Sequence, residues 1–121
     1  MQHSERFLKL VEETRARIQE ITPEETRAKQ ERGEDFLLLD TREDREWTGG
    51  HIKGAIHIGK GVIERDIEKL VPDTGREIII YCGGGYRSAL ATDTLQKMGY
   101  TNVKSMTGGW RGWTDRGWPT E

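Results

Sequence analysis

The chain has a single cysteine, Cys82, among 121 residues. That excludes an internal disulfide and any thiol-rich metal site built within one chain. It also lacks a surplus of either charge: Lys and Arg number 19, Asp and Glu 21, for a formal net charge of -2. A nucleic-acid binder or a polybasic membrane binder would show a basic excess or stripe, so neither partner is expected. No uncharged apolar run approaches the roughly 18 residues that a bilayer-crossing helix needs. Residues 1–20 are charged throughout, unlike a secretory leader. Proline is scarce at 3 residues, but glycine is plentiful at 15, and together with 33% hydrophobic residues it places the chain in the globular range. The expectation is one soluble cytoplasmic domain with one thiol to explain.

Phe7, Leu10, Val11, Thr14, Ile18 and Ile21 recur at helical steps. This spacing predicts a helix over roughly 4–20, forming an N-terminal helical extension (1–21) ahead of a domain at 22–121. Thr22-Pro23-Glu24-Glu25 reads as a helix start, with a capping hydroxyl, a proline at the first position and acids at the positive end of the dipole; Gly33 reads as its stop. Phe36 to Asp40 and Glu77 to Cys82 are short apolar runs suited to strands buried on both faces. A polar stretch, Thr41 to Lys53, lies between the first of these and a strand at Ala55 to Ile58. A helix around Val62 to Val71 ends at Pro72-Asp73-Thr74-Gly75, a helix spans Arg87 to Met98, and Val103 to Met106 is a last strand. Strands alternating with helices predict an α/β fold with a mostly parallel central sheet and helices on both faces.

The loop Cys82-Gly83-Gly84-Gly85-Tyr86-Arg87-Ser88 joins the best strand to a helix. Ligands of open parallel sheets bind beyond the carboxyl ends of the strands, where Cys82 lies. A loop entering a helix aims unpaired backbone N–H groups at one point, and glycines let successive amides turn inward. Such a ring favours a thiolate, and Arg87 adds a fixed cation able to bind an oxyanion through its planar fork. Cys82 is therefore the candidate nucleophile, with Gly83, Gly84, Gly85, Tyr86, Arg87 and Ser88 as the candidate substrate cradle. A free cysteine alone would more simply be a small core residue. The glycines and the arginine, placed just before a helix, decide against that.

The loop resembles the C-x-x-G-x-R-S pattern of many single-domain members of the rhodanese family, with Cys82, Gly85, Arg87 and Ser88 at the matching positions. Asp40-Thr41-Arg42, then Glu46-Trp47, then Gly50-His51-Ile52-Lys53-Gly54-Ala55-Ile56 are similar to the family's D-x-R…E…GHIxGA signature. Leu95, Gly99-Tyr100, Val103 and Gly108-Gly109-Trp110 are similar to its closing segment, so the resemblance covers about residues 22–118. It implies a ping-pong sulfurtransferase without metal or organic cofactor. The Cys82 thiolate would take a sulfane sulfur from thiosulfate or a similar small-molecule donor, then pass it from the persulfide to cyanide, a thiol or a protein sulfur acceptor. Many family members carry a basic or polar side chain directly after the cysteine. Here Gly83 and Gly84 supply none, so the donor's anionic head would rest on Arg87, Ser88, Tyr86 and the backbone.

Other candidates read as structural. Asp40 is expected to accept hydrogen bonds in a loop, with Arg42 pairing a carboxylate, because thiolate chemistry needs no extra acid when sulfite leaves. His51 and His57 lack the one-face spacing of a zinc pair; His51 is expected to hold a turn and His57 to face away from Ile56 and Ile58 on a strand. Trp47, Trp110, Trp113 and Trp118 could line a pocket mouth, but large aromatics near a C-terminus more simply lock that segment onto the core. The mixed run Arg42-Glu43-Asp44-Arg45-Glu46 reads as a solvated face. Two alternative functions share the loop logic: a sulfur carrier or interaction module serving another enzyme, and a cysteine-dependent phosphatase or arsenate reductase. The latter enzymes usually have a longer Cys-to-Arg loop than the four residues, Gly83 to Tyr86, found here.

Overall fold

In the computed structural model, which describes residues 3–121, helices and strands alternate along the chain. The first half comprises α1 (Glu5–Arg15), β1 (Gln19–Ile21), α2 (Pro23–Glu31), β2 (Leu37–Asp40), α3 (Asp44–Thr48) and β3 (Ile56–His57). The second comprises a 3-10 turn (Lys60–Val62), α4 (Ile63–Leu70), β4 (Ile78–Tyr81), α5 (Tyr86–Lys97), β5 (Val103–Met106) and α6 (Gly109–Asp115). The strands form one sheet in the order β1-β5-β4-β2-β3. Every pairing is parallel, and the register sets Asp40 beside Tyr81 and Ile21 beside Met106.

Side chains alternate across the two faces of this sheet, and each face has its own core. Leu39, Ile78 and Ile80 pack with Ile63 and Ile67 of α4 and with Ala91 and Leu95 of α5. Leu38, Ile79 and Tyr81 pack on the other face with Met106 and Trp113 of α6. Helix α1 lies against α5, and α2 against α6. Helices therefore cover both faces, as the alternation of segments predicts. No helix among the described residues is long and apolar enough to cross a membrane.

Local signals place several ends. Thr22 Oγ1 accepts from Glu25 N at 3.1 Å while Thr22 N donates to Glu25 Oε1 at 3.2 Å, closing a capping box at the start of α2. The helix expected to run to about residue 20 instead stops at Arg15, and Gln19–Ile21 adds to the sheet beside β5. Ile18 and Ile21 keep helical spacing, but the unpaired edge of β5 offers backbone hydrogen bonds that a further helical turn could not match. A three-residue edge strand with two exposed residues leaves no alternation to detect. The polar stretch after β2 also holds α3, closed by a box in which Glu43 N donates to Glu46 Oε1 at 3.1 Å.

The connections leaving β2 and β4, which are neighbours, run to opposite flanks of the sheet, to β3 and to β5. Chain direction thus switches between these two strands, and a crevice opens beyond their carboxyl ends.

Candidate active site

Cys82 follows the last residue of β4, the central strand, and is only 1% exposed. Its sulfur accepts hydrogen bonds from Gly85 N at 3.1 Å and Ser88 N at 3.4 Å. Ser88 Oγ lies 3.5 Å from the same sulfur and 2.8 Å from Ser105 Oγ, below the loop. Gly85, at φ 98°, is the N-cap of α5, and this left-handed turn points the opening amides of the helix at the thiol. The sulfur is therefore met by the backbone dipoles of the loop and the helix start.

The carbonyls of the loop are drawn the other way. Trp110 N donates to Cys82 O at 2.7 Å and Arg111 N to Gly83 O at 3.1 Å, so the start of α6 holds the loop from behind. Contact this close requires glycine at position 109: an added Cβ would collide with Cys82 O and stand 2.9 Å from the carbonyl carbon and oxygen of Gly83.

The thiol opens into a cavity of about 560 Å³ that is also lined by Glu46, Gly84, Tyr86, Arg87 and Arg111. His3, Ser4 and Phe7, at the start of α1, form another part of its wall. The His3 ring meets Tyr86 edge-on at 4.6 Å, and the Arg15 guanidinium lies 5.3 Å from the centre of the same Tyr86 ring. The N-terminal helix is thus part of the pocket, which its amphipathic pattern alone does not reveal.

Both ends of the Arg87 guanidinium bind one carboxylate, with Nη1 2.7 Å from Glu46 Oε1 and Nη2 3.1 Å from Glu46 Oε2. The expected oxyanion fork is therefore engaged within the protein, tying α3 to α5 across the crevice. Arg87 holds Glu46 down to about 2; burial opposes the shift, and the Glu43 amide adds to it. Arg87 is in turn raised, first by its hydrogen bond to Glu46, against burial, and also by the charge of Cys82. A depressed carboxylate stabilises the fold above its ordinary value of 4.5 and loses that contribution as pH falls towards about 2. The partners are 33% and 30% exposed, so screening limits the gain. Glu46→Gln is expected to lower stability by about 1 kcal/mol at neutral pH. The gap between the two proteins in thermal denaturation should close as the pH is lowered from about 4.5 to about 2.

The mixed-charge run does not form one solvated face. Asp44 is exposed and Arg45 is an exposed residue at the cavity rim, but Arg42 is 3% exposed and Glu46 faces the cavity. Arg42 precedes α3 and is turned inward by Asp40, while the short turn of α3 sends Asp44 and Glu46 to different sides. Asp40, fully buried, accepts from Arg42 N at 2.8 Å and from Arg42 Nη2 at 2.8 Å. The Arg42 guanidinium also donates to Gly50 O at 2.6 Å and lies 4.7 Å from the centre of the Trp110 ring. This is a structural pair that fixes the β2 loop. Burial, with the charge of Asp40 behind it, keeps the neighbouring Tyr81 phenol protonated, and its oxygen accepts from Ile52 N at 3.0 Å. Asp40→Asn should cost about 3 kcal/mol, because it leaves the buried guanidinium without its counter-charge. Urea denaturation midpoints measure this, and a loss under about 1 kcal/mol would place the pair with exposed ones.

His51 stacks on Trp47 at 3.5 Å between ring centres, and its backbone exchanges hydrogen bonds with Glu121. His57 Nε2 lies 2.7 Å from Arg42 O. No group of three or more potential metal ligands occurs among the described residues. Trp113 is wholly buried and donates to Pro119 O at 3.0 Å, with Trp118 edge-on to it at 5.0 Å, so these two rings fasten the C-terminal segment to the core.

The model of the rhodanese-like domain matches residues 22–116, which hold every strand but β1 and the whole cysteine loop. The chain belongs to the rhodanese-like domain family. The "Putative sulfur carrier protein YrkF" of Bacillus subtilis (strain 168) is 35% identical to this rhodanese-like chain over 104 residues, 86% of the chain and 55% of YrkF. The chain therefore spans about half of that relative. The "Putative sulfurtransferase YtwF" of the same organism is 34% identical over 96 residues, 79% of this chain and 90% of YtwF. Among solved structures, a protein of unknown function from Rhodopseudomonas palustris CGA009, described as a possible tyrosine phosphatase, superposes with a TM-score of 0.84. It is 29% identical and the match covers 100% of this chain and 98% of that one. Helix α1, with its part of the cavity wall, precedes the segment that the rhodanese-like model matches.

Arg111 is the functional candidate that sequence reasoning passes over. It reaches the cavity from α6, far along the chain from Cys82, and no local pattern marks it.

Proposed function

We propose that this rhodanese-like domain is a sulfurtransferase that carries sulfur as a persulfide on Cys82. The observation that bears most of the weight is the pair of amide hydrogen bonds, from Gly85 and Ser88, onto a sulfur that opens into a cavity. Those bonds stabilise an attacking thiolate, and the neighbouring loop amides stabilise the outer sulfur of a persulfide as an oxyanion hole stabilises oxygen. In the first step the Cys82 thiolate attacks the sulfane sulfur of thiosulfate or a similar donor. A bond forms between the two sulfurs, the donor's sulfur–sulfur bond breaks, and its electron pair leaves on sulfite. In the second step cyanide or a thiolate attacks the outer sulfur, and the electron pair returns to Cys82 as thiolate. Cys82 is the catalytic residue; Gly83, Gly84, Gly85, Tyr86 and Ser88 shape the cradle, and Arg87 positions it through Glu46. Neither step calls for a metal or organic cofactor, and the proposed setting is the cytoplasm, where acceptor thiols stay reduced.

Intact-mass measurement before and after thiosulfate tests the reading. A gain of one sulfur atom, removed by cyanide or a thiol, is expected. No gain from thiosulfate or from polysulfide would overturn it. Fast transfer to a protein thiol with slow transfer to cyanide would make the domain a carrier. Hydrolysis of an aryl phosphate, lost on changing Cys82, would favour a phosphatase instead; the Glu46 carboxylate on the Arg87 fork disfavours that outcome, since a phosphate would need the same fork.

A further inference from the structure

We infer that Arg111 receives the anionic head of the sulfur donor, so that the site selects donors carrying an oxyanion beside the sulfane sulfur. The inference rests on the sulfurtransferase reading above and adds a specificity-determining residue to it.

Three arginines line the cavity. Arg87 is paired with Glu46 and Arg45 with Glu43, whereas no ion pair among the described residues involves Arg111. Because Glu43 and Glu46 also line the cavity, a dianionic donor meets carboxylates there and needs an uncommitted cation.

The placement of Arg111 depends on the residues after the cysteine. A Cβ on Gly84 would collide with Arg111 Nη2 and stand 3.2 Å from Cζ; a Cβ on Gly83 would stand 3.8 Å from Nη1. The guanidinium therefore occupies the space that a side chain at Gly84 would fill. A cation that the loop does not carry after Cys82 is supplied from α6. The backbone of Arg111 is joined to the loop through its N–H to Gly83 O, at 3.1 Å, so loop and cation are held in one register. In the loading step the donor's sulfur–sulfur bond breaks and both electrons depart on sulfite. A guanidinium fork suits that oxyanion in the donor and in the leaving group.

The test compares the reaction of the Cys82 thiolate with thiosulfate, which leaves a persulfide and releases sulfite, and with an uncharged dialkyl trisulfide, whose central sulfur it takes up as a mixed trisulfide with release of an alkyl thiolate. Arg111→Gln is expected to lower the ratio of thiosulfate to trisulfide loading rates roughly tenfold or more, chiefly through KM for thiosulfate. Arg111→Lys should restore part of it as a point charge. Added salt should slow thiosulfate loading more in the natural protein than in Arg111→Gln. Gly84→Ala, which displaces the guanidinium without removing it, should lower the same ratio. An unchanged ratio in Arg111→Gln overturns the inference and leaves the sulfurtransferase reading intact. A natural chain that loads from neither donor overturns that reading, and this inference with it.

Discussion

Cys82→Ser is expected to abolish sulfur uptake, lowering transfer from thiosulfate by at least about a thousandfold, with the fold retained. The hydroxyl is nearly isosteric, and Gly85 N and Ser88 N would still find an acceptor, so little packing changes. What disappears is the sulfur nucleophile, the one side chain of the loop able to form a persulfide. Intact mass after thiosulfate should show no added sulfur, while the thermal midpoint stays close to that of the natural protein. A serine variant that still turned over thiosulfate would remove Cys82 from the mechanism.

Gly109→Ala should be the most damaging change outside the loop itself. Position 109 has φ 54° and lies against the backbone of Cys82 and Gly83 rather than against a side chain that could swing aside. To admit a methyl group, α6 must withdraw, and the bonds from Trp110 N to Cys82 O and from Arg111 N to Gly83 O lengthen or break. Left-handed strain and lost hydrogen bonds together suggest about 3 kcal/mol. For a chain of this size that is roughly 10 °C in thermal midpoint. Persulfide loading should fall as well, because α6 no longer holds the loop carbonyls away from the sulfur. Gly99→Ala provides the control: its φ is 101° but an added Cβ would meet nothing within 4 Å. It should show the strain alone, about 1 kcal/mol, with normal loading. Equal losses in the two variants, with loading intact in both, would mean that the close approach of α6 does not shape the site.

Some elements were readable because their causes are local. The isoleucine run of β4 is buried on both faces and needs no partner to be recognised as a strand. Thr22 and Glu25 sit three positions apart, the separation their capping box requires. The cysteine loop is contiguous, so the thiol, the turning glycines and the helix start were legible together. Other features had causes elsewhere in the chain. β1 exists because β5 offers it an edge, and its three residues carry no pattern of their own. The cluster from Arg42 to Glu46 looks uniform in sequence, yet Arg42 turns to Asp40 and Glu46 to Arg87. The carboxylate that the Arg87 fork holds is hidden for the same reason, since nothing near Arg87 in sequence announces Glu46.

The thiol, the turn that aims amides at it and the helix that follows depend on neighbouring residues and elementary backbone geometry, so reading the chain in order recovers them. Which cations stay free, which wall α1 provides, and why α6 must begin with a glycine depend on contacts between segments far apart in the chain. Only folding sets those distances, because Coulomb attraction and steric exclusion act through space and are blind to position along the backbone.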